Sequence, residues 1–232
     1  MIHPDEKKEQ EKLKVIKTPQ ESQYSPLRLI GIFAMIGFCT ILIIVGTFTR
    51  IKLFNCLRGI EAMLHPALFP TLQSILTTKA YFYTPQVPAV LFSAALLGSA
   101  CSMTAVFFYI VMGLALVPVF GLGGGFDYVL QPTFGYILAF IPAVIAANLV
   151  INKEYSVKSL FNATLAAVLT IHILGFVYVL LIALLHHNKI NYIMDWLLYE
   201  SLIKAVYDII FGFACMLFAK FCRKFIWILT AI

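Results

Sequence analysis

"PAVLFSAALLGSACSMTAVFFYIVMGLALVPVF" (residues 88–120) is one long apolar stretch, and it decides how many helices the chain can form. About 20 apolar residues are enough for one helix to cross a bilayer. We therefore expect the stretch to be divided into two membrane-spanning helices, residues 88–102 and 103–120. The break is predicted between Gly98 and Ser102, where small residues permit a tight turn.

The rest of the chain has the same apolar character. Of its 232 residues, 61% are hydrophobic and 12% are charged, and the mean hydropathy is +0.92. Soluble domains carry about a quarter charged residues, so this composition indicates a membrane protein with several spans. Four further apolar runs are long enough to span, at residues 29–49, 133–151, 162–185 and 197–219. We predict an all-α integral membrane protein, a bundle of about six transmembrane helices formed by residues 26–232.

The net charge of +6 does not indicate binding to nucleic acid, because the lysines and arginines lie in tails and short loops. If the N-terminus is inside, and Lys204 is left aside, eleven of them fall on the inner side and five on the outer side. This bias predicts that both termini are cytoplasmic. The five cysteines are scattered without a C-x-x-C pair, so neither a zinc site nor a disulfide framework is expected.

Two segments are not expected to be spans. Residues 1–25 are polar and charged and lack the apolar core of a signal peptide, so we expect a flexible, uncleaved cytoplasmic tail. Residues 50–84 are moderately apolar and contain Pro66 and Pro70. We expect them to form an amphipathic or re-entrant insertion.

A charged residue within the last apolar run is the first candidate for a functional site. Lys204 lies in "WLLYESLIKAVYDIIFG" (residues 196–212), with Glu200 four residues before it and Asp208 four residues after it, on one helical face. A charge at membrane depth costs about 2.5 to 3.5 kcal/mol on insertion scales and so indicates a site. One interpretation is that Lys204 snorkels to the interface beside Glu200. The other is a pocket in which Lys204 meets an anionic ligand group.

Two segments with irregular backbone adjoin the spans. Residues 109–140, "YIVMGLALVPVFGLGGGFDYVLQPTFGYILAF", are interrupted by glycines and prolines, which at membrane depth are tolerated where the backbone is buried or lines a cavity. A loop outside the membrane is the alternative. Pro132 followed by Thr133 predicts the start of a helix. In "YTPQVP" (residues 83–88), Gln86 offers a donor and an acceptor between two prolines, although a surface turn would explain the motif equally well.

In order and spacing, "YTPQVPAVLFSAALLG", "YIVMGLALVPVFGLGGG" and "QPTFGYILAFIPA" resemble the core of the BioY family, the biotin-binding S components of energy-coupling factor (ECF) transporters. The resemblance is close over residues 81–151, and "ESLIKAV" resembles the last-helix motif. It implies the ECF S-component fold and biotin uptake across a bacterial cell (inner) membrane. Two positions depart from the family: Ser201 stands where an Asp is usual, and Gln131 where Gly is common. The first leaves open which acidic residue partners Lys204.

The resemblance also implies a binding site for biotin. The Pro-Thr-x-Gly-Tyr segment begins the fourth helix near the substrate cavity, and the glycine-rich loop at residues 121–131 is expected to roof that cavity. The valerate carboxylate calls for a cation such as Lys204, the ureido ring calls for paired donors and acceptors, and the apolar bicycle suits aromatic walls. The predicted substrate-binding residues are Gln86, Tyr109, Phe120, Thr133, Gly135, Tyr136, Glu200, Ser201 and Lys204.

The sequence contains no G-x-x-x-x-G-K-[ST] phosphate loop, so ATP hydrolysis by that chemistry is not expected of this chain. The resemblance implies an ECF T component and ATPase subunits as possible partners, besides biotin and the lipid bilayer. No cofactor and no metal are predicted. Two alternatives stay open. One is an S component for another vitamin or a small organic anion. The other is an intramembrane enzyme, although no G-x-S-x-G or H-E-x-x-H surrounds Ser102 or His172.

Overall fold

The computed structural model describes residues 26–54, 80–115, 117–185, 193 and 196–230. The chain divides into two compact units, Met1–Met35 and Ile36–Ile232. The described part of the first unit is the beginning of one helix, α1 (Pro26–Phe48). The second unit contains the rest of α1 and every later element.

The second unit is almost entirely helical. After α1 come β1 (Ile51–Phe54), β2 (Ala80–Tyr83), α2 (Gln86–Leu97), α3 (Ser99–Leu114), a 3-10 helix (Phe126–Leu130), α4 (Thr133–Leu138), α5 (Phe140–Ile151), α6 (Val157–Leu185), a π-helical segment (Leu197–Ile203) and α7 (Lys204–Thr230). Ala139 alone separates α4 from α5, and the π-helical segment continues directly into α7. The described residues therefore form six helical rods, and the predicted six-helix all-α fold is confirmed.

Four of these rods are long and apolar enough to cross a membrane: Leu29–Phe48, Thr133–Ile151, Val157–Leu185 and Glu200–Phe225. Helices α2 and α3, with 12 and 16 residues, are shorter. They are separated at Gly98, whose φ of 77° favours glycine, so the position of the predicted break is confirmed. Both helices begin and end earlier than the predicted boundaries at 88–102 and 103–120. Helix α3 ends at Leu114, four residues before Pro118, which lacks the N–H that a continued helix would donate to the Leu114 carbonyl.

The ends of the predicted insertion form a short ribbon, which the sequence did not predict. Strands β1 and β2 pair in an antiparallel manner, with Ile51 opposite Tyr83. The ribbon packs on α7, because Tyr81 stacks on Tyr207 with ring centroids 5.8 Å apart and Tyr83 lies 5.2 Å from Phe211. The remainder of the insertion and the predicted tail at residues 1–25 lie outside the described residues.

Small side chains let the central helices approach one another closely. Helix α5 packs on α6, and α7 packs on both α2 and α6. In lipid, where the hydrophobic effect does not drive helices together, close packing of small residues is a main source of association. The alanines that are buried in these helices include Ala94, Ala95, Ala143, Ala147, Ala163, Ala167 and Ala219.

Candidate functional site

The second unit contains a cavity of about 260 Å³ that is lined by both polar and apolar side chains. This volume lies near the lower end of the range for small-molecule sites, about 300 to 1,000 Å³. Side chains from most elements of the unit reach it. The lining residues are Thr47, Arg50, Thr84, Gln86, Val87, Gly121, Leu122, Tyr128, Thr133, Tyr136, Ile137, Phe140, Ile171, His172, Trp196, Glu200 and Lys204.

The structure brings most of the predicted binding residues to this cavity or directly behind it. Five of the nine line it: Gln86, Thr133, Tyr136, Glu200 and Lys204. Three of the other four support the lining, since Tyr109 and Ser201 hydrogen-bond to lining residues and Phe120 packs against Tyr128. Gly135 instead lies against Tyr178, which is not among the lining residues. Whether these residues contact a ligand stays a prediction.

Lys204 faces the cavity as one half of an ion pair. The residue is buried, at 8% exposure, and its Nζ lies 3.6 Å from Oε2 of Glu200. Glu200 is one third exposed and belongs to the π-helical segment, where an α-helix was expected. Such segments are frequent at functional sites because the wider turn re-aims the side chains. Of the two acidic neighbours considered from the sequence, Glu200 is therefore the ion-pair partner of Lys204.

The predicted helix start after Pro132 is confirmed, since α4 begins at Thr133. The Thr133 hydroxyl donates to the phenol oxygen of Tyr128 at 3.0 Å. Tyr136 and Ser201 join through their hydroxyls at 2.7 Å, which ties α4 to the π-helical segment. A Cβ at Gly135 would overlap the side chain of Tyr178, so this glycine permits α4 to lie directly against α6.

Gln86 is held by a chain of hydrogen bonds behind the cavity wall. Its Nε2 donates to the Tyr109 hydroxyl at 2.7 Å, and that hydroxyl lies 3.2 Å from Oγ1 of Thr47. Because the Thr47 hydroxyl donates to the carbonyl of Ile43, it accepts from Tyr109. The Gln86 amide is thus fixed from one side, and its oxygen forms no hydrogen bond within the described part of the chain.

The glycine-rich loop is folded onto the end of α3. The N–H of Gly125 donates to the carbonyl of Gly113 at 2.7 Å, and a Cβ at Gly113 would overlap the ring of Phe120. Phe120 is fully buried, with the rings of Tyr109 and Tyr128 at 5.3 and 4.6 Å. Burial raises the pKa of Tyr128, so its phenol stays protonated. The loop at residues 121–131, expected to roof the cavity, contributes three lining residues: Gly121, Leu122 and Tyr128.

A second polar cluster lies behind the cavity and was not predicted. Asp208 is fully buried, and its Oδ1 accepts from the Tyr83 hydroxyl at 2.7 Å. Burial, together with the Asp208 carboxylate, raises the pKa of Tyr83, so the phenol is the donor. Oδ2 of Asp208 lies 3.1 Å from Nε2 of His172. His172 is thus a packed, hydrogen-bonded residue, as expected, but it also lines the cavity.

Several lining residues were missed by sequence reasoning. Thr84 lies two residues before Gln86, within a motif that was already singled out, so a signal was present. Arg50 and Trp196 stand at the ends of apolar runs, where such residues are ordinary in membrane proteins, and carried no signal of their own. Within the described residues, no group of three or more His, Cys, Asp or Glu side chains could hold a metal ion.

Comparisons with known proteins agree on one family. The model of the BioY family matches residues 22–225. The "Probable biotin transporter BioY" of Lysinibacillus sphaericus is 39% identical over 74 residues, and the match spans 32% of this chain but only 38% of that relative's length. A solved structure of the S-component for biotin from an ECF-type ABC transporter aligns over 87% of this chain and 95% of that chain, with a TM-score of 0.61 and 16% identity. The likeness confirms the predicted S-component fold.

Proposed function

The chain belongs to the BioY family, and from this membership we propose that it is a membrane-embedded substrate-binding (S) component that takes up biotin. It captures biotin from the outer side of the bacterial cell (inner) membrane and delivers it inward. It acts as a transport protein and not as an enzyme. The energy comes from a separate ECF T component with ATPase subunits where these are present.

The observation that carries this proposal is the chemical composition of the cavity. Biotin combines a neutral ureido ring, an apolar bicycle and a carboxylate tail, so its site needs paired donors and acceptors, apolar walls and a cation. The lining offers the Lys204–Glu200 pair and the Gln86 amide beside the rings of Tyr136 and Phe140. A few placed polar groups on an otherwise apolar wall are typical of a small-molecule site.

The distribution of positive charge supports an orientation with both termini cytoplasmic. Tyr155, in the turn between α5 and α6, lies beneath two cations near the end of α7: Lys220 at 5.6 Å and Arg223 at 5.1 Å from its ring. The ribbon packs instead near the beginning of α7, at Tyr207. Since inner loops are enriched in Lys and Arg, the Tyr155 end is assigned to the inside, and the ribbon to the outside.

Equilibrium binding of radiolabelled biotin to the purified full chain in lipid nanodiscs tests the proposal. We expect saturable binding that unlabelled biotin displaces and that thiamin and riboflavin do not. Displacement by another vitamin, without displacement by biotin, would favour an S component of different specificity. Absence of biotin binding by folded protein would contradict the proposal.

A further inference from the structure

A groove of about 590 Å³ lies between the later part of α7 and the turn that joins α5 to α6. Among the described residues, its lining has none in common with the lining of the candidate functional site. Basic, aromatic and aliphatic side chains form this basic groove: Tyr155, Leu217, Lys220, Phe221, Arg223 and Lys224. Binding of biotin gives these residues no role.

The basic groove lies where an uncharged part of α7 meets basic residues. Residues 209–219 carry no charge, and Lys220 is the first charged residue after Asp208. Leu217, Lys220 and Lys224 are spaced by three or four residues, so they share one face of the helix. Leu217 and Lys224 are about 10 Å apart along the helix axis, at 1.5 Å of rise per residue. Within that distance the groove changes from an apolar surface to a positively charged one.

Tyr155 holds two of the three basic side chains in place. Nζ of Lys220 lies 5.6 Å and the guanidinium carbon of Arg223 lies 5.1 Å from the centre of its ring, both within the range of a cation–π interaction. The Tyr155 hydroxyl donates to the carbonyl of Ala95 at 2.8 Å, which fixes the ring against α2. Because long side chains lose rotamer freedom on binding, cations that are already held in place bind an anion at lower entropic cost.

The charge around the basic groove is positive. The adjoining turn adds two basic residues, Lys153 and Lys158, and one acidic residue, Glu154, which does not line the groove. The two terminal segments of the sequence supply no net negative charge, because residues 1–25 carry five acidic and five basic residues and residues 225–232 carry none. An anionic group is therefore the ligand that this end of the protein attracts.

We propose that the basic groove binds one phospholipid with an anionic headgroup. The headgroup phosphate accepts charge-assisted hydrogen bonds from Lys220, Arg223 and Lys224, and an acyl chain lies along Leu217 and Phe221. Basic pockets between transmembrane helices on the cytoplasmic side are suited to such headgroups. The inference goes beyond the proposed function and shares with it only the assignment of the Tyr155 end to the inside.

Two other occupants fit the basic groove less well. A free anion such as inorganic phosphate would leave the apolar surface at Leu217 and Phe221 without a contact. A zwitterionic phospholipid would cover that surface, but its own cationic group would be repelled by the three basic side chains. An anionic phospholipid satisfies both parts of the groove at once.

Native mass spectrometry of the purified full chain, released from a non-ionic detergent, tests the proposal by counting the lipid molecules that stay bound. Dioleoyl phosphatidylglycerol is compared with dioleoyl phosphatidylcholine, which has the same acyl chains and a zwitterionic headgroup. We expect one molecule of phosphatidylglycerol to be retained at concentrations at which phosphatidylcholine is not. Addition of inorganic phosphate should not displace it.

Two double variants separate the basic groove from general attraction by positive charge. Lys220→Gln with Arg223→Gln should lower the affinity for phosphatidylglycerol about 10- to 30-fold, since each basic residue near an anionic lipid contributes a factor of about five. The matched control, Lys153→Gln with Lys158→Gln, removes two exposed charges beside the same turn but outside the lining, and should change the affinity by less than about threefold. Circular dichroism checks that both variants are folded.

Four results would overturn the inference. Equal retention of the two lipids would mean that only apolar contacts bind them, and equal losses in the two double variants would mean that the attraction is diffuse. Displacement by inorganic phosphate would indicate a site for free anions, and failure to retain phosphatidylglycerol would leave the basic groove to a protein partner. Biotin binding by the groove variant should be unchanged, so this inference and the proposed function can fail separately.

Discussion

Two acidic residues on the last helical rod, eight positions apart, occupy opposite kinds of surroundings. Asp208 is fully buried, and both of its oxygens lie within hydrogen-bonding distance of a partner. Glu200 is one third exposed and faces Lys204 across 3.6 Å, a distance longer than a good hydrogen bond. In the sequence the two acids are equivalent, each four residues from the same lysine.

This difference distinguishes a residue that stabilises the fold, Asp208, from a charged pair that can bind a ligand, Lys204 and Glu200. Asp208 links three elements, because Tyr83 comes from β2 and His172 from α6, and its acceptors are already used. The ammonium of Lys204 has three N–H donors, only one of which can point at Glu200. An intramembrane charge whose partners are complete holds the fold together, whereas one whose donors are partly unused can bind a ligand.

The largest effect that would sharpen this comparison is expected for Asp208→Ala. Removing the carboxylate leaves Tyr83 and His172 without their acceptor in a buried place. We expect the free energy of unfolding to fall by about 3 to 5 kcal/mol, as when one partner of a buried pair is removed. Reversible unfolding of the variant and of the unmodified protein in bicelles measures this change in free energy. Asp208→Asn, which retains one acceptor oxygen, should lose less, and an unchanged stability of the alanine variant would contradict a structural role.

Lys204→Met is expected to act on binding and not on folding. Methionine keeps the apolar stem of the lysine, and the partly exposed Glu200 can stay hydrated, so unfolding should change little. Biotin affinity should fall by about 2 to 5 kcal/mol, the range for truncating one partner of a desolvated charged contact. Lys220→Met, at the other end of α7 and outside the cavity lining, is the control. A loss of stability as large as that of Asp208→Ala would remove the distinction between the two sites.

The helices could be predicted because their signals are local. The break at Gly98 and the helix start at Thr133 follow from small residues and from a proline, each acting on its immediate neighbours. The ribbon could not be predicted, since Ile51 and Tyr83 pair across a long insertion and neither strand carries a pattern of its own.

The site was predicted in part for the same reason. Gln86 and Tyr136 belong to the quoted motifs and line the cavity. They could be predicted because the positions of the helices that carry them could be predicted. The π-helical turn at Glu200 changes the backbone geometry without changing the composition, so it could not be predicted from the residues alone. The partners of Asp208 come from two distant elements, and hydrogen bonds of that kind depend on packing between helices.

Tyr83→Phe should produce an intermediate loss of stability. The substitution removes one donor to Asp208 while His172 stays in place, and the ring still packs against Phe211. We expect the free energy of unfolding to fall by about 1 to 3 kcal/mol, the cost of a lost hydrogen bond to a charged group. Biotin affinity should stay within about twofold, a change of less than half a kcal/mol. A large loss of binding with intact stability would instead make the Asp208 cluster part of the ligand site.

The smallest effect is expected for Tyr109→Phe, which should lower biotin affinity slightly and leave the stability of the fold almost unchanged. Tyr109 does not line the cavity, but its hydroxyl accepts from Gln86 and holds the amide in one orientation. Phenylalanine keeps the ring that packs edge-on against Phe120, so stability should change little. Gln86 would still reach the ligand but in several rotamers, and biotin affinity should fall by about 0.5 to 1.5 kcal/mol, the net value of one hydrogen bond. Gln86→Ala removes the amide itself and should lose more. If the double variant loses no more than Gln86→Ala alone, the hydroxyl acts on the ligand only through Gln86; if the two losses add, Tyr109 contributes by a separate route.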